Sequence, residues 1–152
     1  DELKDSHILP RWAWKRALNS HADRRVGRVN GGTFTDTGEQ VTEHLLCSSC
    51  EQQFGVWDDY VSQVSRQPDG SFPARDRSLP TATPDLPAGV EAIVDASALN
   101  VSAIAAFASS VVWRASVSSK CEARLGPKYE EEFASYLREA AQFPASGRLF
   151  LT

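Results

Sequence analysis

Cysteine is scarce in this chain. Only three cysteines occur in 152 residues, which is too few for the disulfide framework that stabilises small secreted domains. We therefore expect a reducing compartment, the cytoplasm, and a metal-binding or redox role for the pair Cys47 and Cys50. Methionine is absent and the chain begins at Asp1, so we expect a fragment of a longer protein.

Long apolar runs are also missing. The most apolar stretch, residues 96–112, is interrupted by serine and asparagine, which is typical of a buried helix and not of a membrane span. The sequence shows no signal peptide or lipidation motif, so no membrane partner is expected. With 41% hydrophobic and 24% charged residues, the composition favours a globular domain over a disordered chain.

A strong charge of one sign is the third absence. The formal net charge is −4, so the composition as a whole does not indicate a nucleic-acid binder. Residues 11–28 nevertheless hold six basic residues and one acidic residue, which is typical of a surface that binds phosphate. A solvated helix face is the alternative interpretation, and we give the two about equal weight. The basic residues are Arg11, Lys15, Arg16, Arg24, Arg25 and Arg28.

Periodicity and turn signals predict an α+β fold. Residues 3–10 are expected to form a brief extended segment, and residues 28–46 an irregular β-hairpin. Helices are expected at residues 11–19, 47–65, about 97–119 and from 127 onward. These elements fall into three expected regions: a ββα region at 1–66, a proline-rich linker at 67–91, and a helical region at 92–152 that packs on the first.

Cys47 and Cys50 form a Cys-x-x-Cys pair at the start of a predicted helix. Two thiolates at this spacing can bind one metal ion, and the free amides of a helix start stabilise them. A structural zinc ion takes four ligands, so the pair supplies half a site. A redox-active pair is the alternative, but such pairs occur in a βαβ context, which the sequence lacks. We therefore favour a metal-binding pair over a redox pair by about two to one.

His7 lies in a short apolar segment ahead of this helix. A single histidine in such a segment is more often a packed core residue than a catalyst. The order of elements is nevertheless β, β, α, with the cysteine pair where the helix begins, which would bring His7 close to that helix start. Near a divalent metal, a neutral imidazole there can take a proton from water and direct hydroxide at a phosphodiester.

Together, these segments resemble a known family. Ser-His-Ile-Leu-Pro at residues 6–10 and Leu-Leu-Cys-Ser-Ser-Cys-Glu at residues 45–51 resemble the HNH, or His-Me finger, endonucleases. The likeness is closer to a bacterial group of HNH-like proteins that share Leu-Leu-Cys-x-x-Cys-Glu, and it extends to Trp113-Arg114 and to Leu-Gly-Pro at residues 125–127. The resemblance implies an N-terminal treble-clef-like ββα element followed by a mainly helical bundle.

The resemblance also implies roles for single residues. His7 matches the general base, and Cys47 and Cys50 match the second half of a structural Zn²⁺ site whose first half would precede residue 1. Glu51 stands where the family has a metal-binding histidine, and its carboxylate is a suitable Mg²⁺ ligand. Ser6 stands where the family has a metal-binding aspartate.

The implied function is metal-dependent hydrolysis of phosphodiester bonds in DNA or another nucleic acid. The departures at Ser6 and Glu51 support a second hypothesis, a non-catalytic zinc-binding treble-clef module that binds nucleic acid or protein. A third hypothesis is a purely structural helical domain in which His7 is packed and the cysteines are idle. Asp58 and Asp59 are predicted to lie on a solvated helix face.

Overall fold

The computed structural model describes residues 2–20, 25–30, 33–78, 96–139 and 143–144. Within these ranges the chain forms two antiparallel two-stranded sheets and five α-helices, so the predicted α+β class is confirmed. None of the described helices is both long and apolar enough to cross a bilayer. The elements are β1 (Leu3–His7), α1 (Arg11–Asn19), β2 (Val26–Asn30), β3 (Thr33–Thr37), β4 (Thr42–Cys47), α2 (Ser48–Val64), α3 (Pro73–Ser78), α4 (Val101–Val117) and α5 (Pro127–Glu139).

The strand pairing differs from the predicted hairpin over residues 28–46. Strand β2 pairs with β3, whereas β4 pairs with β1, in a register that runs from Leu3 opposite Cys47 to His7 opposite Thr42. The prediction was wrong in this pairing because turn signals report only local structure, whereas β1 and β4 are far apart in the sequence. The pairing places His7 at one end of the β1–β4 sheet and the cysteine pair at the other.

Local signals located most helices well. Helix α1 spans the predicted residues, α2 differs from its prediction by one residue at each end, and α5 begins at Pro127. Helix α4 begins at Val101, later than predicted, because the Asn100 side chain caps it by accepting from the Ala103 amide at 3.0 Å. Helix α3 lies in the predicted linker and was not predicted; residues 79–91 of that linker lie outside the described residues.

The core lies where α2 packs against the β1–β4 sheet and against α4. Leu46, Phe54 and Leu137 are buried together, and Trp57 and Trp113 pack partly buried against them. Helix α4 presents mostly small buried side chains, which allows close approach of its neighbours α2 and α5. This packing places Arg114, in the last turn of α4, within hydrogen-bond distance of β1.

The end of α4 is also attached to β4 by polar contacts. The Glu43 carboxylate accepts hydrogen bonds from the hydroxyls of Ser118, at 2.5 Å, and Ser119, at 2.7 Å. These bonds to the charged form lower the pKa of Glu43. Lys120 donates to the carbonyl oxygen of Thr42 at 2.5 Å. Helix α4 is thereby held against the strand that pairs with His7.

Candidate active site

His7 and Glu51, the predicted general base and metal ligand, line the same cleft. Its volume is about 430 Å³, and side chains from β1, α1, α2 and α4 surround it. The charged and aromatic lining residues are Asp5 and His7 from β1, Arg11, Trp12 and Lys15 from α1, Glu51, Asp58 and Asp59 from α2, and Arg114 from α4. The fold therefore joins two residues that the sequence could connect only through the family resemblance.

The alternation of strand β1 decides which of its side chains reach the cleft. Asp5 and His7 line it, whereas Ser6 between them faces the other side of the sheet and is only 1% exposed. The Ser6 hydroxyl donates to the Lys4 carbonyl oxygen at 3.1 Å and accepts from the Leu46 amide at 3.2 Å. The residue at the family's aspartate position is therefore engaged inside the sheet.

One face of helix α2 supplies the carboxylates. Glu51, Gly55 and Asp58 are spaced i, i+4, i+7, so they lie on one side of the helix. A methyl group added at Gly55 would meet nothing within 4 Å, so the surface between the two carboxylates is open. The solvated face predicted for Asp58 is wrong, because its side chain is 19% exposed. Its spacing from Glu51 was the sequence signal that the prediction overlooked.

Four residues that line the cleft have a buried polar atom with no hydrogen-bond partner among the described residues. The atoms are Nδ1 of His7, Nε1 of Trp12, Oε1 of Glu51 and Oδ1 of Asp58. Buried polar atoms in native proteins are nearly always paired, with protein, water or a bound ligand. The Glu51 oxygen is of the type that binds a hydrated divalent cation, whereas the Asp58 oxygen also lies 3.6 Å from the Arg114 guanidinium.

Arg114 is the residue that sequence reasoning missed. It is 3% exposed, and its Nη2 lies 3.6 Å from the Asp58 carboxylate. Its Nη1 donates to the backbone carbonyl oxygen of His7 at 2.8 Å, and its Nε donates to the Ser110 carbonyl oxygen at 3.2 Å. The guanidinium also lies over the Phe54 ring, 5.7 Å from its centroid. A fixed positive charge thus stands beside the carboxylates.

Burial has the largest effect on the pKa values of Asp58 and Arg114. It raises the pKa of Asp58 to about 6, although Arg114 opposes the shift; the negative charges of Glu51 and Asp59 add to it. Burial likewise lowers the pKa of Arg114 from its ordinary value, which Asp58 and Glu51 oppose. The cleft therefore disfavours further negative charge on α2 unless a cation accompanies it.

The cysteine pair lies at the junction of β4 and α2, and both thiols are free. Hydrogen bonds, chiefly from the Ser49 hydroxyl at 3.1 Å, lower the pKa of Cys47 to about 7, whereas burial raises the pKa of Cys50. No group of three or more His, Cys, Asp or Glu side chains in the described ranges is arranged to hold a metal ion. Leu3, the first residue of β1, pairs with Cys47 across the sheet.

The predicted basic residues have different surroundings. Arg11 and Lys15 are exposed and line the cleft, one helical turn apart on α1. Arg16 instead reaches the end of α2, where it donates to the carbonyl oxygen of Ser62 at 3.2 Å and to the side chain of Gln67 at 3.1 Å. Arg25 is exposed but does not line this cleft; Arg24 and the side chain of Arg28 lie outside what the structure describes.

Comparisons with known proteins leave the family open. No protein-family model matches the chain, and neither a curated protein nor a solved structure matches it. An HNH family assignment therefore stays a prediction from the sequence motifs.

Proposed function

We propose that this protein is an HNH-type, metal-dependent endonuclease that hydrolyses phosphodiester bonds in nucleic acid. The observation that carries the proposal is the shared cleft of His7 and Glu51, which has Arg11 and Lys15 at its exposed side. A general base, a hard oxygen donor and two cationic side chains are the groups that such a hydrolysis requires.

The element order supports an HNH-type scaffold. Strands β1 and β4 pair antiparallel, and helix α2 follows β4 directly and packs against both strands. We interpret this order as a ββα element with α1 and the β2–β3 hairpin inserted between its two strands. In the proposed scaffold, the cysteine pair at the β4–α2 junction would be half a structural zinc site.

Glu51, with Asp58 as a second carboxylate, would hold the catalytic cation. Glu51 has a buried oxygen without a hydrogen-bond partner among the described residues, and Asp58, whose carboxylate lies 3.6 Å from the Arg114 guanidinium, is on the same helix face. Mg²⁺ binds through one or two carboxylates while it keeps several waters. When bound, the cation would stabilise the negative charge that develops on the phosphate. Fewer than three protein ligands are sufficient for such a site.

The chain's own residues have separate tasks in this reaction. Arg11 and Lys15 bind phosphates of the nucleic-acid backbone, which positions the scissile bond over the cleft. The His7 imidazole accepts a proton from the attacking water. The water oxygen forms a new bond to phosphorus as the bond to the leaving sugar oxygen breaks; a solvent water protonates that oxygen, and the imidazolium returns its proton to solvent.

The test is plasmid nicking in Mg²⁺ or Mn²⁺ by the wild type and two histidine variants. His7→Ala should lower the rate by at least about 100-fold, since general-base catalysis contributes that much. His44→Ala is the matched control, because His44 is exposed on β4 and does not line the cleft; it should keep the wild-type rate. Equal nicking by His7→Ala and wild type would refute the proposal.

A second candidate function is the non-catalytic zinc-binding module that binds nucleic acid or protein. The engagement of Ser6 inside the sheet favours it, because this position supplies no ligand to the cleft. It predicts zinc bound through Cys47 and Cys50, salt-sensitive DNA binding and no cleavage. Nicking that depends on His7 would exclude it.

A further inference from the structure

We propose that Arg114 is a positioning residue: its buried guanidinium connects the His7 carbonyl to the α2 face that carries Asp58, and so fixes where the imidazole lies. No motif of the sequence assigns this task. The inference deepens the proposed nuclease function, and its kinetic arm rests on that function.

The contacts of Arg114 span the elements that build the cleft. From α4, the guanidinium reaches the backbone of β1 at His7 and the Asp58 carboxylate on α2. Its Nε and Nη2 are held by the carbonyl oxygen and the hydroxyl of Ser110, each at 3.2 Å. The planar guanidinium offers several donors in fixed directions, so it can hold these partners simultaneously.

The buried ion pair is by itself weak evidence that Arg114 serves only stability. Replacing such a pair with apolar side chains of similar volume is often neutral or stabilising, although removing one partner is destabilising. The bond to the His7 carbonyl, by contrast, restrains the backbone that carries the predicted base. A displacement of a catalytic group by about 1 Å can lower a rate by about 100-fold.

The spectroscopic test does not depend on activity. The chain has three histidines, and the His7→Ala spectrum identifies the His7 signal in proton–carbon spectra of histidine-labelled protein. In Arg114→Met, the His7 imidazole signal should move by more than its linewidth, while the His44 signal should stay in place. An unmoved His7 signal in folded Arg114→Met would overturn the proposal.

The kinetic test measures plasmid nicking at saturating cation, per folded molecule. Arg114→Met should lower kcat by about 10- to 100-fold while the KM for DNA changes little, because the phosphate-binding side chains are untouched. Arg114→Lys should not restore kcat, since an ammonium cannot reproduce the fork of hydrogen bonds. Restoration by lysine would show that charge alone matters and would overturn the positioning role.

Two further outcomes remain decisive. If Arg114→Met does not fold, Ser110→Ala carries the test: it keeps the guanidinium but removes the hydroxyl that accepts from Nη2, and a smaller shift of the same His7 signal is expected. An unchanged His7 signal in Ser110→Ala would then overturn the proposal. If the wild type does not nick DNA, the proposed function fails, and the spectra alone decide on Arg114.

Discussion

Ser6 contributes no side chain to the cleft, although it lies between Asp5 and His7, which line it. Its hydroxyl is paired inside the sheet with the Leu46 amide and the Lys4 carbonyl, and the alternation of the strand turns it away from His7. In the pattern that the sequence resembles, an aspartate at this position binds metal. The structure indicates instead that a carboxylate would be buried in the sheet, away from Glu51.

Ser6→Asp should therefore destabilise the protein without improving cation binding. We expect a loss of about 3 kcal/mol or more at neutral pH, because the new carboxylate lacks a partner. Ser6→Ala is the control for the lost hydroxyl and should lower the free energy of unfolding by about 1 kcal/mol. Denaturant unfolding and Mn²⁺ titration measure the two effects. Wild-type stability together with tighter Mn²⁺ binding in Ser6→Asp would contradict this account.

The site residues differ in how far the sequence could predict them. His7, Glu51 and the cysteine pair belong to contiguous motifs, so their types and spacing identified them. Asp58 could have been predicted as a site residue from the sequence, since its spacing places it on the same helix face as Glu51. Arg114 was not, because its contact with the His7 carbonyl depends on how α4 packs against β1. Periodicity within one helix contains no information on that packing.

At the scale of elements, helix α2 combines two faces. On one face, Phe54 and Val64 are buried and Trp57 packs partly buried against the core. The adjacent face carries Glu51 and Asp58 into the cleft. Local periodicity predicted the extent of this helix well. The pairing of β4 with β1 was not predictable, because strand partners are selected by packing across the whole fold.

Substitutions at Gly55 test whether the face of α2 that carries Glu51 and Asp58 binds a ligand. Gly55→Ala should raise the free energy of unfolding by about 0.5–1 kcal/mol, because alanine favours the helix and its methyl group meets no neighbour. Gly55→Leu should fold as well but weaken DNA binding, since the larger side chain occupies the space between the carboxylates. Val56→Leu is the matched control, because Val56 is 67% exposed and outside the cleft. Unchanged DNA binding by Gly55→Leu would show that ligands do not use this space.

At the scale of the whole molecule, the fold places positive and negative side chains on different walls of the cleft, which the net charge does not reveal. The net charge is −4, yet two cationic side chains of α1 border the cleft whose inner wall carries the carboxylates of α2. The basic segment is also divided. Arg11 and Lys15 are available to a phosphate backbone, whereas Arg16 caps the end of α2 and its guanidinium lies 4.7 Å from the centroid of the Trp12 ring.

This division predicts different effects on the salt dependence of DNA binding. Each phosphate contact contributes about one unit to the slope of log K against log salt, so Arg11→Ala and Lys15→Ala should each reduce its magnitude by about one. Lys128→Ala, at an exposed position on α5 outside the cleft, should leave the slope unchanged. Arg16→Ala should also keep the slope but lower the melting temperature, because it removes hydrogen bonds at the end of α2. Fluorescence anisotropy over a salt series measures the slopes. If Arg16→Ala alone reduced the slope, the DNA would contact the other side of α1, and the cleft would not be the binding site.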